Sequence, residues 1–240
     1  MRIELTRKRF PGRPGEPDRT ILEDVTLELG SGEFVCLTGP SGCGKTTVLN
    51  LISGIDRDFE GHLEEPEDYR LAYVFQQPCL LPWRTVEENL RLVLPKAERQ
   101  RSERPLHYLK RMGLADYRNA YPGDLSLGMA RRASLARAFS IDPDLLLLDE
   151  PFVSLDEDNA RLLKHLLLEL WSERRCSVLC VTHDLEEALE LADRILFMCP
   201  QERGIPYEYR PPLSREERTP EQISRLRQEL PRPSQPKEKP

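Results

Sequence analysis

Nine residues limit what this chain can fold into more than any other stretch: Gly39, Pro40, Ser41, Gly42, Cys43, Gly44, Lys45, Thr46 and Thr47. They fit the pattern G-x-x-x-x-G-K-[ST] and lie between an apolar run at Phe34–Thr38 and a helix-like segment at Thr46–Ile52. Such a loop needs glycine at 39, 42 and 44 so that the backbone can wrap closely. Successive N–H groups, those of Ser41, Cys43 and Thr47 included, then aim at phosphate oxygens, and the helix N-terminus adds a favourable dipole. Lys45 supplies a point charge for the terminal phosphates, and Thr46 a hydroxyl ligand for magnesium. A strand, a phosphate-binding loop and a helix in that order predict an α/β fold.

The rest of the sequence extends this pattern. Runs at Leu71–Phe75, Leu145–Leu148, Ser177–Val181 and Ile195–Met198 read as strands that are apolar at nearly every position, as in a parallel sheet covered on both faces. Helix-like spacing recurs at Val86–Leu94, Met129–Ser140, Asp158–Glu173 and Leu185–Ala192. The stretch from about 78 to 140 has no convincing strand and predicts a helical lobe. The run Leu145–Leu148 delivers Asp149 and Glu150 at its C-terminal end, the edge where open α/β sheets bind ligands. Asp149 suits magnesium held through water, and Glu150 suits polarising an attacking water.

Composition excludes other classes. No window approaches the roughly 18 apolar residues of a membrane span, and the N-terminal residues have no apolar stretch of a signal sequence, so a cytosolic chain is expected. A net charge of −6 argues against nucleic acid as the partner. The six cysteines are scattered, with no CxxC pair, and read as reduced and structural. Nine of the 21 prolines fall between Pro200 and Pro240, so the packed body is expected to end near 200. In the tail beyond it, Thr219 and Pro220 predict a short helix to about Leu230, followed by a disordered end.

Four further segments narrow the reading. Val74-Phe75-Gln76 follows a strand; Asp124 to Met129 precedes Ala130-Arg131-Arg132-Ala133; Ser154-Leu155-Asp156 follows Glu150; and Thr182-His183-Asp184 lies 33 residues beyond Glu150. Together with the loop and the strand ending in Asp149, they resemble the ATP-binding subunits of ATP-binding-cassette (ABC) transporters over about residues 2–200. The resemblance implies a P-loop cassette fold: a parallel-sheet core, a small antiparallel β part and a helical lobe at about 78–140, with 201–240 as a Pro-rich, partly helical tail. It implies ATP and Mg2+ as cofactors, with Thr46, Gln76 and Asp149 at the metal and Glu150, His183 and Gln76 in hydrolysis. Phe10 falls about where the family stacks an aromatic on adenine. Ser126 and Gly128 would complete the site of a second ATP-binding subunit, taken as another copy of this chain.

The family resemblance also implies transmembrane permease subunits, indirectly a solute-binding protein, and a peripheral place on the cytoplasmic face of the inner membrane. The segment Pro78 to Leu90, with Leu81-Pro82-Trp83-Arg84-Thr85-Val86, is similar to cassettes of the nitrate, sulfonate and taurine importer group, where it meets the membrane subunit. An importer of a small anionic solute is therefore expected. Met129 to Ala133 and Asp149 to Val153 also resemble cassettes that move phospholipids, the alternative. Leu127 and Met129 depart from the family's Leu-Ser-Gly-Gly-Gln. Since leucine disfavours a positive φ, the geometry at 127 and the hydrolysis rate are the points this departure puts at stake, with a non-hydrolysing scaffold as its extreme.

Overall fold

The computed structural model describes residues 1–230 except Glu65 and Glu67; the disordered end expected over 231–240 lies outside them. In chain order the elements are β1 (Arg2–Phe10), β2 (Arg19–Glu28), β3 (Phe34–Thr38), α1 (Lys45–Ile52), β4 (Glu60–Glu64), β5 (Leu71–Val74), α2 (Val86–Leu92), α3 (Arg104–Arg111) and α4 (Leu127–Phe139). There follow β6 (Leu145–Asp149), α5 (Glu157–Arg174), β7 (Ser177–Thr182), α6 (Leu185–Leu191), β8 (Arg194–Cys199), β9 (Gly204–Tyr209) and α7 (Pro220–Glu229). The chain divides into two compact units, one from 1–66 and 179–240, the other from 67–178.

In the first unit, β7, β3, β8 and β9 lie side by side in that order. β3 and β8 are parallel, pairing Val35 with Arg194 and Thr38 with Phe197. Every residue of both strands is buried, as expected of strands covered on two faces. A separate antiparallel sheet has the order β2-β1-β4, with Ile3, Leu5, Leu22, Val25 and Leu27 buried at alternating positions.

The packed body does not end near residue 200. β9 pairs antiparallel with β8, Ile195 opposite Tyr209 and Cys199 opposite Gly204. The expectation failed because Pro206 reads as a breaker, yet proline is tolerated on an edge strand, and β9 closes its sheet at one edge. Beyond it, Arg218 donates to the carbonyls of Leu189 and Ala192 at 2.9 and 2.7 Å, and Leu226 of α7 is buried. The helix foreseen from Thr219 is present with a full capping box between Thr219 and Gln222.

In the second unit, β5 and β6 pair in parallel, Leu71 with Leu145 through Val74 with Leu148. Helices α2, α3 and α4 occupy the stretch read as a helical lobe. α5 buries Leu163, Leu167, Leu170 and Trp171, a stripe at helical spacing. Among the described residues, no helix is long and apolar enough to cross a membrane.

Candidate functional site

The glycine-rich loop of residues 39–47, His183 and Phe10 belong to the first unit; Gln76, Asp149, Glu150, Ser126 and Gly128 belong to the second. In the first, β3 runs into a loop whose glycines 39, 42 and 44 have φ of 158°, 78° and 104°. Gly42 and Gly44 need the left-handed region that glycine alone enters freely. A Cβ at Gly44 would lie 2.9 Å from Leu22 Cδ2, while one at Gly42 would meet nothing within 4 Å. Gly42 is thus kept for its backbone and its open side, Gly44 also for its packing.

The donor set fits a phosphate group. α1 starts behind Gly44 with no capping side chain and no acid in its first turn, so its dipole is not already answered by a side chain. The buried Lys45 ammonium donates to the carbonyls of Gly39 and Pro40 at 2.8 and 3.1 Å, which holds a cation inside the loop. Burial raises the Cys43 thiol pKa despite the neighbouring Lys45 charge, and a raised thiol pKa means an unreactive sulfur. His183 is exposed between the end of β7 and the start of α6. Its position is fixed by its neighbours: Thr182 Oγ1 donates to Glu187 at 2.6 Å and accepts from Asp184 N at 3.0 Å, while Asp184 caps α6 through Glu186 N at 2.8 Å.

Beside the loop runs a groove of about 550 Å³ whose lining includes Arg19, Thr20, Ile21, Gly42, Cys43 and Arg203. Phe10 is not among its lining residues; its ring is partly exposed and carries the Lys8 ammonium 4.8 Å from its centroid.

In the second unit, Asp149 is buried at the end of β6 and Glu150 follows with φ of 44°. A non-glycine residue there is strained, a feature that concentrates at functional turns. Tyr73, opposite Leu147 in the β5–β6 register, shares a face with Asp149, two residues further along. Its hydroxyl is hydrogen-bonded to Asp149; burial, then the Asp149 charge and that bond, push the phenol pKa well up. Gln76 is exposed just past β5. Among the described residues no three His, Cys, Asp or Glu side chains form a metal cage. Asp149, buried and hydrogen-bonded by the Tyr73 hydroxyl, is an oxygen donor of the kind magnesium takes.

Ser126 caps α4, its hydroxyl accepting from Met129 N at 3.3 Å. The expected conflict at Leu127 does not arise. The residue is the first of the α4 helix, is absent from the non-glycine positions with positive φ, and projects an apolar side chain that is 43% exposed. Gly128 is the restricted position, because a Cβ there would stand 2.7 Å from Asn159 Oδ1.

Three residues escaped sequence reasoning: Tyr73, Asn159 and the buried Arg131, which donates to the carbonyls of Glu150, Pro151 and Val153. The pair Arg131-Arg132 was visible, but partners that are main-chain carbonyls leave no mark in a sequence.

Trp83 is 70% exposed. The loop presenting it is knitted from within: the buried Asn89 side chain accepts from Leu81 N at 2.7 Å and donates to the carbonyls of Leu81, Arg84 and Thr85. Thr85 and Glu88 add a capping box at the start of α2.

The family model described as ABC transporter matches residues 22–153, more than half of the chain. The aliphatic sulfonates import ATP-binding protein SsuB 1 of Streptomyces avermitilis is 46% identical over 199 residues, covering 82% of this chain and 72% of that one. The bicarbonate transport ATP-binding protein CmpD of Synechocystis sp. is 40% identical over 210 residues, covering 82% and 73%. Among solved structures, the ATP-binding cassette MJ0796, dimeric in a post-hydrolysis state with ADP and Pi, aligns with a TM-score of 0.75. It has 29% identity, over 89% of this chain and 99% of that one.

Proposed function

Because this chain belongs to the ABC transporter family, we propose that it is the ATP-binding and hydrolysing subunit of an importer for a small anionic solute, of the sulfonate or bicarbonate type. The observation that carries the reading is the uncapped loop of residues 39–47 with its buried Lys45, next to relatives that are importer subunits. When bound, Mg-ATP supplies the transferable phosphoryl group and a metal charge that neutralises it. The backbone N–H groups of Ser41 to Thr47 and the Lys45 ammonium bind and orient the phosphates. Thr46, Gln76 and Asp149 would hold the metal. Glu150 takes the proton of the attacking water, and His183 steadies the transferring group. The groove at Arg19–Ile21 and Arg203, adjoining Gly42 and Cys43, suits the nucleoside portion, with Phe10 at the end of β1 as the aromatic offered to the base.

Ser126 and Gly128 serve the site of a second ATP-binding subunit, read as another copy of this chain. In this reading the exposed Trp83, held out by the Asn89 knot, is the contact for a membrane permease subunit, and the assembly works at the cytoplasmic face of the inner membrane, indirectly with a solute-binding protein.

The test is Glu150→Gln. The purified variant is expected to bind ATP with affinity like the parent's while turnover falls by about 10²-fold or more, the scale of losing a general base. Retained near-parental hydrolysis in a steady-state phosphate-release assay would remove Glu150 from the mechanism.

A further inference from the structure

We propose that Arg131 is a positioning residue for hydrolysis, holding Glu150 in its working conformation from the helix that begins at Ser126. The inference rests on the reading of Glu150 as the group that activates water.

Arg131 is 4% exposed and lies one turn into α4. Its guanidinium spreads over the segment just after β6: Nη1 donates to Glu150 O at 3.1 Å and Pro151 O at 3.0 Å, and Nη2 to Val153 O at 2.9 Å. This segment begins and ends with non-glycine residues in the left-handed region, Glu150 at φ 44° and Ser154 at φ 62°. Backbone in that state persists only where surrounding contacts over-determine it, and one rigid planar cation bonded to three carbonyls within residues 150–153 is such a contact. Burial opposes the Arg131 charge and the Glu150 carboxylate favours it, so cation and acid are coupled electrostatically as well as through the backbone. Arg131 Nε is buried and has no hydrogen-bond partner among the described residues, a cost that packing alone gives no reason to keep.

The same helix touches the following segment at a second point. Gly128 lies against Asn159, whose side chain donates to Asp156 Oδ2 at 2.7 Å and whose N–H donates to Asp156 Oδ1 at 2.9 Å. α4 therefore bonds residues 150–153 through Arg131 and packs closely on Asn159 at Gly128. Another arginine of the same helix, the half-buried Arg137, donates to the carbonyls of Pro78 and Cys79 at 3.0 and 2.7 Å and so reaches the segment that follows Gln76. A displacement of the Ser126 end of this helix would be felt at Glu150 through a buried cation, with no intervening side chain.

The experiment compares the full chain with Arg131→Gln and Arg131→Lys, measuring kcat and KM for ATP, binding of a fluorescent ATP analogue, and the melting midpoint. If Arg131 positions Glu150, kcat falls about 10- to 100-fold in Arg131→Gln, the range a misplacement of about 1 Å costs. KM and analogue affinity stay within about twofold, since nothing Arg131 touches belongs to the phosphate-binding loop. Arg131→Lys, which keeps the charge but not the fork, should fall between. A folded Arg131→Gln with parental kcat overturns the proposal, as does a loss shared equally by kcat, analogue affinity and melting midpoint. Should Arg131→Gln not fold, Arg131→Lys carries the same comparison; failure of both to fold makes Arg131 structural and overturns the proposal. A parent chain without ATP turnover overturns the ATPase reading itself, which separates that failure from this one.

Discussion

The Tyr73 hydroxyl is a hydrogen-bond partner of the buried Asp149. Tyr73 stacks on Phe75 with ring centroids 4.1 Å apart, so its ring is anchored independently of its oxygen, and the oxygen is free to serve as a donor to the buried carboxylate. Tyr73→Phe keeps the ring and removes only that bond. Outer partners of metal-binding groups typically control about 10- to 100-fold in affinity or activity. With Asp149 at the metal, as proposed, the half-saturating magnesium concentration of the ATPase is expected to rise about tenfold, with the melting midpoint little changed. A titration of turnover against magnesium at saturating ATP checks this, and an unchanged half-saturating magnesium concentration would mean that Asp149 is oriented without Tyr73. The signal for Tyr73 was present in the sequence only as one more apolar position of a strand; what makes it polar in function is the register that sets it opposite Leu147.

At the scale of elements, β8 is tied to the turn before β3 by an ion pair that titrates. Glu33 accepts from Arg194 Nε and Nη2, both at 2.8 Å, and from Gly30 N at 3.1 Å. Burial works to raise the Glu33 carboxyl, but the Arg194 hydrogen bonds, the Gly30 N–H and the charges of Arg194 and Arg210 outweigh it and hold the pKa below the ordinary value. A depressed folded-state pKa stabilises the fold above the unfolded value of about 4.3, and the contribution is lost as pH falls through the folded value. Glu33→Gln should therefore cost about 2 kcal/mol at pH 7, since Arg194 keeps Glu208 and the Glu28 carbonyl as partners. The difference from the parent should shrink toward acid, below about pH 4. Denaturant unfolding at several pH values measures it, and a gap independent of pH would assign the cost to packing. The same elements show what a sequence discloses. β3, β6, β7 and β8 were legible because strands buried on both faces are continuous apolar runs. β1, β2 and β4 were not legible strand by strand: residues such as Arg2, Glu4 and Arg7 interrupt the apolar pattern, and the small antiparallel part was foreseen only through the family resemblance. β9 was hidden by Pro206 and by charges natural to an edge. The glycine loop announced itself, whereas the arginines of α4 did not, because their carbonyl partners carry no residue identity.

Across the whole molecule, charge sets a condition on assembly. Each chain carries a formal −6, and a closed pair would bring two such charges together along with two bound nucleotides, while Leu127 offers exposed apolar area at the Ser126 end of α4. If the pair forms through the phosphate-binding loop of one copy and the Ser126 end of α4 in the other, the local attraction comes from Lys45 and helix dipoles at short range, and the opposing repulsion comes from net charge at long range. Salt discriminates between ranges: the Debye length falls from about 30 Å at 0.01 M to about 8 Å at 0.15 M, which screens the distant repulsion and leaves buried contacts nearly untouched. Glu150→Gln, loaded with ATP so that hydrolysis does not reopen it, should pass from monomer toward dimer as ionic strength rises over that range, followed by light scattering on a sizing column. The opposite trend, a dimer that dissolves as salt is added, would mean that exposed ion pairs between the copies hold it, and that the anion-receiving ends of the two chains are not what brings them together.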